Sequence, residues 1–337
     1  MNIQNNISLK PYNTFGINHS ANYFAEANDV ADLKEALLWA KENEQEILII
    51  GGGSNILLTQ DFEGLVILIK LLGIKVLNEN EEDVLVKVGA GENWHEFVMH
   101  SLQQGWSGIE NLSLIPGTVG ASPMQNIGAY GVEIKEVFVE LEGLNRESLD
   151  LEKFDKAECD FGYRESIFKN KVKNKYIITS VTFRLSKIAE LNTEYGVIMN
   201  TLEEMEVKEP TPKDVSNAVI KIRQSKLPDP AEIGNAGSFF KNPTIPLESF
   251  DQLKADYPNI PGYPQERGIK VPAAWLIEQS GWKGKRFGNI GVHKKQPLVL
   301  VNYGNGEGKE IVELSKRIQE SVKEKFGVML SPEVNFI

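Results

Sequence analysis

The stretch GIENLSLIPGTVGASPMQNIGAYGVE, residues 108 to 133, limits what this chain can fold into more than any other segment. It places Gly117, Gly120, Gly128 and Gly131 among small residues, with Thr118, Ser122, Gln125 and Asn126 as neutral hydrogen-bonding groups. Such a run packs a core poorly and lets backbone lie flat against a large planar ligand. The bland alternative is a long structureless loop, which is uncommon in compact domains unless it is functional.

A second run of small residues, IIGGGSN (49 to 55), ends an apolar stretch in three glycines. Backbone N–H groups with no Cβ in the way can cradle a phosphate. A glycine-rich hairpin turn fits the same residues equally well. Two such loops, one per lobe, point to a dinucleotide held between lobes.

Around these loops the pattern is mixed. NDVADLKEALLWAKENE (28 to 44) opens on an Asn/Asp cap signal and repeats apolar residues at helical spacing. EILII and VILIK read as strands, giving strand, helix and strand about a glycine turn. DVLVKVGAG (83 to 91) reads as a strand and WHEFVMHSLQQG as a helix closing on Gly105. KYIITSVTFRL is strand-rich, and the two prolines of EVKEPTPKDV (206 to 215) mark a boundary before the helix VSNAVIKIRQSK. QPLVLVNYG reads as a strand, KEIVELSKRIQESVKEKF as a long amphipathic helix and EVNFI as a short closing strand. With 337 residues the expectation is a mixed α+β protein of two or three lobes.

Bulk charge narrows the partners. A net charge of −11 argues against wrapping nucleic acid or lying on an anionic membrane, so an anionic ligand must meet a local basic pocket. One cysteine, Cys159, forms no internal disulfide and favours a reducing compartment. No apolar run reaches membrane-spanning length and no signal peptide is expected, so the cytoplasm is the expected location.

Three motif look-alikes are set aside. HEFVMH (95 to 100) spaces its histidines one residue too far for H-E-x-x-H, leaving them about 140° apart on a helix. No G-x-S-x-G is present, so no serine sits on a hydrolase elbow. YGNGEG (303 to 308) lacks the last spacing of G-x-G-x-x-G and reads as a turn.

The polar candidates lie later. GNAGSFFKNP (234 to 243) offers one hydroxyl, Ser238, with no base beside it. Arg164 in DFGYRES, Arg223 and Lys226 in IRQSKLPDP, and Lys283 and Lys285 in GWKGKR are cations in an acidic chain. Each taken singly is more often a solvated surface charge. Glu333 in LSPEVNFI is either a buried carboxyl with a raised pKa or an edge-strand residue.

Together NTFGI (13 to 17), IIGGGSNILL (49 to 58), the 108 to 131 segment, CDFGYRESIFK (159 to 169), KLPDP (226 to 230), GNAGSFFKNP (234 to 243) and SPEVNFI (331 to 337) resemble the UDP-N-acetylenolpyruvylglucosamine reductase (MurB) family, flavoenzymes of peptidoglycan precursor synthesis. The matches span nearly the whole chain in order. The resemblance implies an α+β chain with the vanillyl-alcohol-oxidase/PCMH-type FAD-binding fold, two lobes gripping FAD and a third covering the substrate. It implies a first FAD-binding lobe over 1–70 and a second over 71–212, with 15–187 together forming the PCMH-type domain. A substrate-binding domain over 213–330 and a C-terminal strand, 331–337, carrying Glu333 complete the expected division.

The resemblance also implies roles. Gly51, Gly52, Gly53, Ser54 and Asn55, then Gly117, Thr118, Gly120, Ala121, Ser122, Gln125, Asn126, Gly128, Ala129, Tyr130 and Gly131, match FAD-contacting loops, and Arg223 matches an arginine near the flavin. Ser238 matches the proton donor, and Arg164 and Glu333 the two other active-site residues. Tyr195, Lys226, Asn242, Tyr263, Lys283 and Gln296 fall where the UDP-sugar is held. The tyrosine near 190 to 196 is similar to that of the subclass that closes a tyrosine over the substrate diphosphate. The implied reaction uses NADPH to reduce FAD and then reduces the enolpyruvyl double bond of UDP-N-acetylglucosamine enolpyruvate. A serine that gives a proton to a carbanion needs no activating histidine, which accounts for Ser238 standing without a base. The competing expectation is an FAD-dependent oxidase of the same fold acting on an alcohol or sugar.

Overall fold

Residues 83 to 89 carry valine at every second position, and in the computed structural model, which describes residues 1–337, they form the strand Asp83–Gly89 with Val84, Val86 and Val88 buried. This strand lies in a five-stranded antiparallel sheet in the order Leu151–Asp155, Phe138–Asn145, Tyr176–Ser186, Asp83–Gly89, Ile74–Glu79. Helix α1 (Val30–Glu42) begins where Asp29 accepts the Asp32 N–H at 2.8 Å, and buries Leu33, Ala36, Leu37 and Ala40 at i, i+3, i+4 and i+7.

A four-stranded sheet in the order Gln4–Ser8, Ser20–Ala27, Phe62–Ile69, Glu46–Ile50 accompanies α1. Its strand Phe62–Ile69 reads apolar without alternation, and Leu65, Val66 and Ile67 are fully buried. Glu46–Ile50 pairs with it in parallel, Ile49 opposite Ile67. Helix α2 (Trp94–Gln103), capped by Asn93, brings Trp94 and Phe97 against Phe183 with ring centroids 5.9 and 5.3 Å away, and ends before Gly105. Helices α3 (Gly196–Glu204) and α4 (Pro212–Lys226) share the core cluster Ile198, Leu202, Val215, Ala218, Val219 and Ile222. Pro212 occupies the first turn of α4, where its missing N–H costs nothing. These elements belong to a first compact unit, residues 1–7, 21–52 and 63–225.

The second unit takes residues 8–20, 53–62 and 226–337. It holds an antiparallel sheet in the order Gly234–Asn235, Leu300–Asn302, Ile290–Val292, Arg286–Phe287, and a smaller one of Thr244–Ile245, Gly268–Lys270 and Tyr263–Gln265. Helices α5 (Leu247–Asp256) and α6 (Ala273–Gln279) precede α7 (Gly308–Phe326), whose apolar stripe Ile311, Leu314, Ile318, Val322 and Phe326 is buried. YGNGEG is a turn: Asn302 Oδ1 accepts the N–H groups of Gly304 and Gly306, each at 3.0 Å, before the Glu307 cap of α7. Asn335–Phe336 runs parallel to Ile56–Leu57, and Thr59 donates both its N–H and its hydroxyl to the Ile337 carbonyl at 2.7 Å.

Some strands are shorter than their apolar runs. QPLVLVNYG yields only Leu300–Asn302 and EVNFI only Asn335–Phe336. No helix is long and apolar enough to cross a membrane.

Candidate functional site

The strand Glu46–Ile50 runs directly into Gly51, Gly52 and Gly53. Because it is parallel to Phe62–Ile69, these glycines do not turn a hairpin. A Cβ on Gly52 would stand 3.0 Å from the Gly117 Cα, and one on Gly51 would clash with the Thr118 hydroxyl. The two small-residue loops therefore meet backbone to backbone in the first unit. A Cβ on Gly120 would stand 2.5 Å from that of Ala90. In the second unit Gly53 holds φ at 59°, and its carbonyl accepts the Thr14 N–H at 3.1 Å, which joins the NTFGI stretch to the glycine loop. In the first unit the missing Cβ atoms are what lets the two loops pack this closely, and glycine-rich backbone of this kind can meet a flat cofactor at short range, which fits FAD.

Not every residue of the long segment offers its side chain outward. Ser122 donates to the Val119 carbonyl at 2.7 Å, and Asn126 donates to Glu133 and to the Gly162 carbonyl at 3.0 Å. Gln125 accepts from Lys169 Nζ at 3.2 Å. Ser122 and Asn126 are buried, and their side chains brace the segment that Gly128, Ala129, Tyr130 and Gly131 continue.

Arg164 sits on that brace. It adopts a left-handed φ of 56°, unusual for a side chain of its size. Its Nη2 donates to the Gly128 carbonyl and its Nη1 to the Asn126 carbonyl at 3.5 Å. Arg223 donates its Nε to the Leu114 carbonyl at 3.2 Å and hydrogen-bonds the Tyr130 phenol. Burial depresses the Arg223 pKa, Tyr130 opposes this, and the charge of Arg164 adds to the depression. Burial pushes the Tyr130 phenol up, and Arg223 pulls it down. Two guanidinium groups within electrostatic reach of each other, in a chain of net charge −11, form a local field suited to an anion.

Tyr195, 53% exposed, precedes the first residue of α3 and meets the Tyr130 ring edge-on at 5.7 Å. His95 Nδ1 accepts the Leu114 N–H at 3.0 Å, and burial followed by the Arg223 charge keeps its pKa low. His100 packs edge-on against Trp106 at 5.8 Å, so the two histidines of HEFVMH serve separate neighbours.

In the second unit Ser238 is exposed, between Gly237 and the buried Phe239 and Phe240. The Gly237 N–H is held by Asn235 Oδ1 at 2.9 Å. Phe239 N–H donates to the Leu298 carbonyl and Lys241 N–H to the Ser331 carbonyl, at 2.8 and 3.0 Å, while Phe240 bridges Pro332. Half-buried Glu333 is held in the same ladder, and its carbonyl accepts Asn55 Nδ2 at 3.3 Å. Among the expected sugar-holding residues, Asn242 Oδ1 accepts the Ala273 N–H at 2.9 Å and Gln296 Oε1 the Leu298 N–H at 3.3 Å. Lys283 pairs with Glu278 at 2.7 Å. Tyr263 is 52% exposed, and Lys226 is exposed at the end of α4.

Sequence reasoning overlooked Asn111, His95 and Leu114 as parts of this arrangement. Asn111 and Leu114 lay inside the quoted segment, but nothing in the letters separates a buried amide from the small residues around it.

Comparison with known proteins accords with this geometry. Residues 229–337 match the family model described as UDP-N-acetylenolpyruvoylglucosamine reductase, C-terminal domain, and residues 21–147 match an FAD binding domain. UDP-N-acetylenolpyruvoylglucosamine reductase of Flavobacterium johnsoniae is 53% identical over 340 residues, covering 100% of both chains. The crystal structure of the reductase MurB from Thermus caldophilus aligns over 100% of this chain and 99% of its own, with a TM-score of 0.69 at 22% identity. 6-Hydroxy-D-nicotine oxidase from Arthrobacter nicotinovorans aligns over 92% and 81%, with a TM-score of 0.50 at 10% identity. The fold is accordingly α+β, of the vanillyl-alcohol-oxidase/PCMH FAD-binding type. Identity of this extent, over the full length of both sequences, places the chain in the UDP-N-acetylenolpyruvoylglucosamine reductase family.

Proposed function

We propose that this chain reduces the enolpyruvyl double bond of UDP-N-acetylglucosamine enolpyruvate to give UDP-N-acetylmuramate, using FAD and NADPH, in the cytoplasm. The observation that carries the reading is the 53% identity over the full length with an enzyme of that name. Bound FAD supplies the hydride that reaches the terminal carbon of the double bond, after reduction by NADPH.

The chain's own residues do the rest. As hydride arrives, negative charge moves to the adjacent carbon and into its carboxylate. Arg164, with the Arg223 charge behind it, is assigned to stabilise that charge, because preorganised cations act on charge as it develops. The Ser238 hydroxyl gives its proton to the adjacent carbon and completes the lactyl ether. Glu333 is assigned to the enolate either as a protonated carboxyl or as a member of the hydrogen-bonded network around it.

Gly51 to Asn55, the 117 to 131 segment and Arg223 are assigned to FAD, and Tyr195, Lys226, Asn242, Tyr263, Lys283 and Gln296 to the UDP-sugar. The proposed division is 1–70 and 71–212 for the FAD-binding lobes, 213–330 for substrate and 331–337 for the closing strand. The test is anaerobic. The flavin of the purified protein, once reduced, should reoxidise on addition of the UDP-linked enolpyruvyl sugar, and a flavin that stays reduced would reject the reading.

A further inference from the structure

Asn111 is 1% exposed and lies in a short 3-10 turn, Glu110–Leu112. That turn is held from several sides within the first unit. Glu110 accepts the Gly108 N–H at 2.7 Å, the Ser113 hydroxyl donates to the Glu110 carbonyl at 2.7 Å, and Trp94 Nε1 donates to the Leu112 carbonyl at 2.9 Å. From this base Asn111 Nδ2 reaches two carbonyls, that of Tyr130 at 3.0 Å and that of Asn192 at 2.9 Å. Both partners only accept, so they dictate which way the amide points. Its Oδ1 is buried with no partner. An unpaired buried acceptor is destabilising, and an apolar side chain would avoid it. The two donated bonds are what the asparagine offers in return.

Both carbonyls belong to segments that bear on the proposed site. The Tyr130 phenol hydrogen-bonds Arg223, and its ring meets Tyr195 edge-on at 5.7 Å. Asn192 stands three residues before Tyr195 and returns a bond from its Nδ2 to the Gly131 carbonyl at 3.4 Å. The Tyr195 carbonyl accepts the Ile198 N–H at 2.7 Å, which ties its backbone to α3, but its side chain makes no capping bond there, so the lie of its ring depends also on Tyr130 and on the segment leading into it.

We propose that Asn111 is a positioning residue that sets where Tyr195 stands, and through it the affinity for the nucleoside-diphosphate end of the substrate. The inference rests on the reading of Tyr195 as a substrate ligand. Asn111 acts through the Tyr130 and Asn192 carbonyls.

The test compares Asn111→Asp with Asn111→Ala in the flavin-loaded enzyme. Aspartate keeps the volume of the side chain and turns acceptors toward two carbonyls, whereas alanine only removes the donors. A buried carboxylate lowers stability whatever the residue's role, so the deciding readout is KM against kcat and not stability. The expected result is a rise in KM for the UDP-linked enolpyruvyl sugar of about tenfold or more in Asn111→Asp and a smaller rise in Asn111→Ala. In both, the rise in KM should exceed any change in kcat or in the rate of flavin reduction by NADPH, because the Tyr130 carbonyl that loses a bond also belongs to the segment assigned to FAD. A protonated carboxyl regains one donor, so the KM of Asn111→Asp should fall toward the unaltered value as pH drops from about 8 to about 6, and that of Asn111→Ala should not.

Alanine doing more harm than aspartate, an unmoved KM, or an equal loss in flavin reduction would each overturn the proposal. Should Asn111→Asp fail to fold, the pairing with Tyr195→Ala still decides: adding Asn111→Ala to it should leave KM unchanged, and additive losses reject the coupling. Tyr195→Ala alone separates the two readings. If it leaves KM unmoved, the assignment of Tyr195 falls. If it raises KM while the Asn111 variants do not, only the positioning role falls.

Discussion

Glu333 donates its backbone N–H to the carbonyl of Phe239 at 2.8 Å, so its side chain springs from a ladder that starts one residue after Ser238. Both candidate groups of the second unit thus depend on one short stretch of pairing, closed by the Phe240 to Pro332 bridge and the Lys241 to Ser331 bond. Positions fixed by backbone pairing vary less than positions left to loops, and a proton donor needs a fixed position.

Replacing Ser238 with alanine should leave NADPH-driven flavin reduction intact and slow reoxidation by the enolpyruvyl sugar by about 10²–10⁴-fold, the usual worth of a placed general acid. Stopped-flow absorbance separates the two half-reactions. An unchanged reoxidation rate removes Ser238 from the role.

Glu333→Gln should retain reoxidation within about tenfold, whereas Glu333→Ala should lose about 10²-fold, because a neutral donor suffices for a hydrogen-bonded network and a void does not. The same stopped-flow trace reads both variants. A Gln variant as poor as Ala would mean that the charge is required.

Gly52→Ala puts a Cβ 3.0 Å from the Gly117 Cα, a backbone atom that cannot swing aside. The expected outcome is protein that purifies with less than about a tenth of the flavin of the unaltered enzyme, read from the visible absorbance. Full flavin content would show that the loop contact is not part of the cradle.

Glu110 is 2% exposed, and burial raises its pKa above the ordinary 4.5 against three backbone N–H groups that lower it. A carboxyl raised in the folded state contributes stability that is complete below the unfolded value and is lost as pH rises through the folded one. Urea midpoints should therefore fall as pH climbs from about 4.5 upward, with other groups titrating alongside. Glu110→Gln, which can still accept the Gly108 N–H, should flatten that part of the profile, and an unflattened profile removes Glu110 as its source.

Where periodicity was strong, the letters told the fold. Asp83–Gly89, α1 and α7 each bury a regular face, and their patterns stated it. The glycine loop at 51 to 53 was ambiguous between cradle and hairpin because strand direction is not a local property. Only the parallel pairing of Glu46–Ile50 with Phe62–Ile69 decides it. Arg164 could be picked out as a cation in an acidic chain, but its left-handed φ and its bonds to the Asn126 and Gly128 carbonyls arise from residues some forty positions earlier. Asn111 was hidden for the same reason, since its partners lie 19 and 81 residues away.

The second unit draws residues 8–20 and 53–62 together with residues from 226 onward. During synthesis the early pieces lack the rest of their unit until on the order of two hundred further residues have been added, about 10–40 s at ordinary elongation rates. Throughout that interval Phe15 is without Phe239 and Leu57 without Phe336, the late residues they meet in the folded chain, and both are destined to be buried. Newly made protein is therefore open to aggregation and chaperone capture at its start, while the first unit is still being completed.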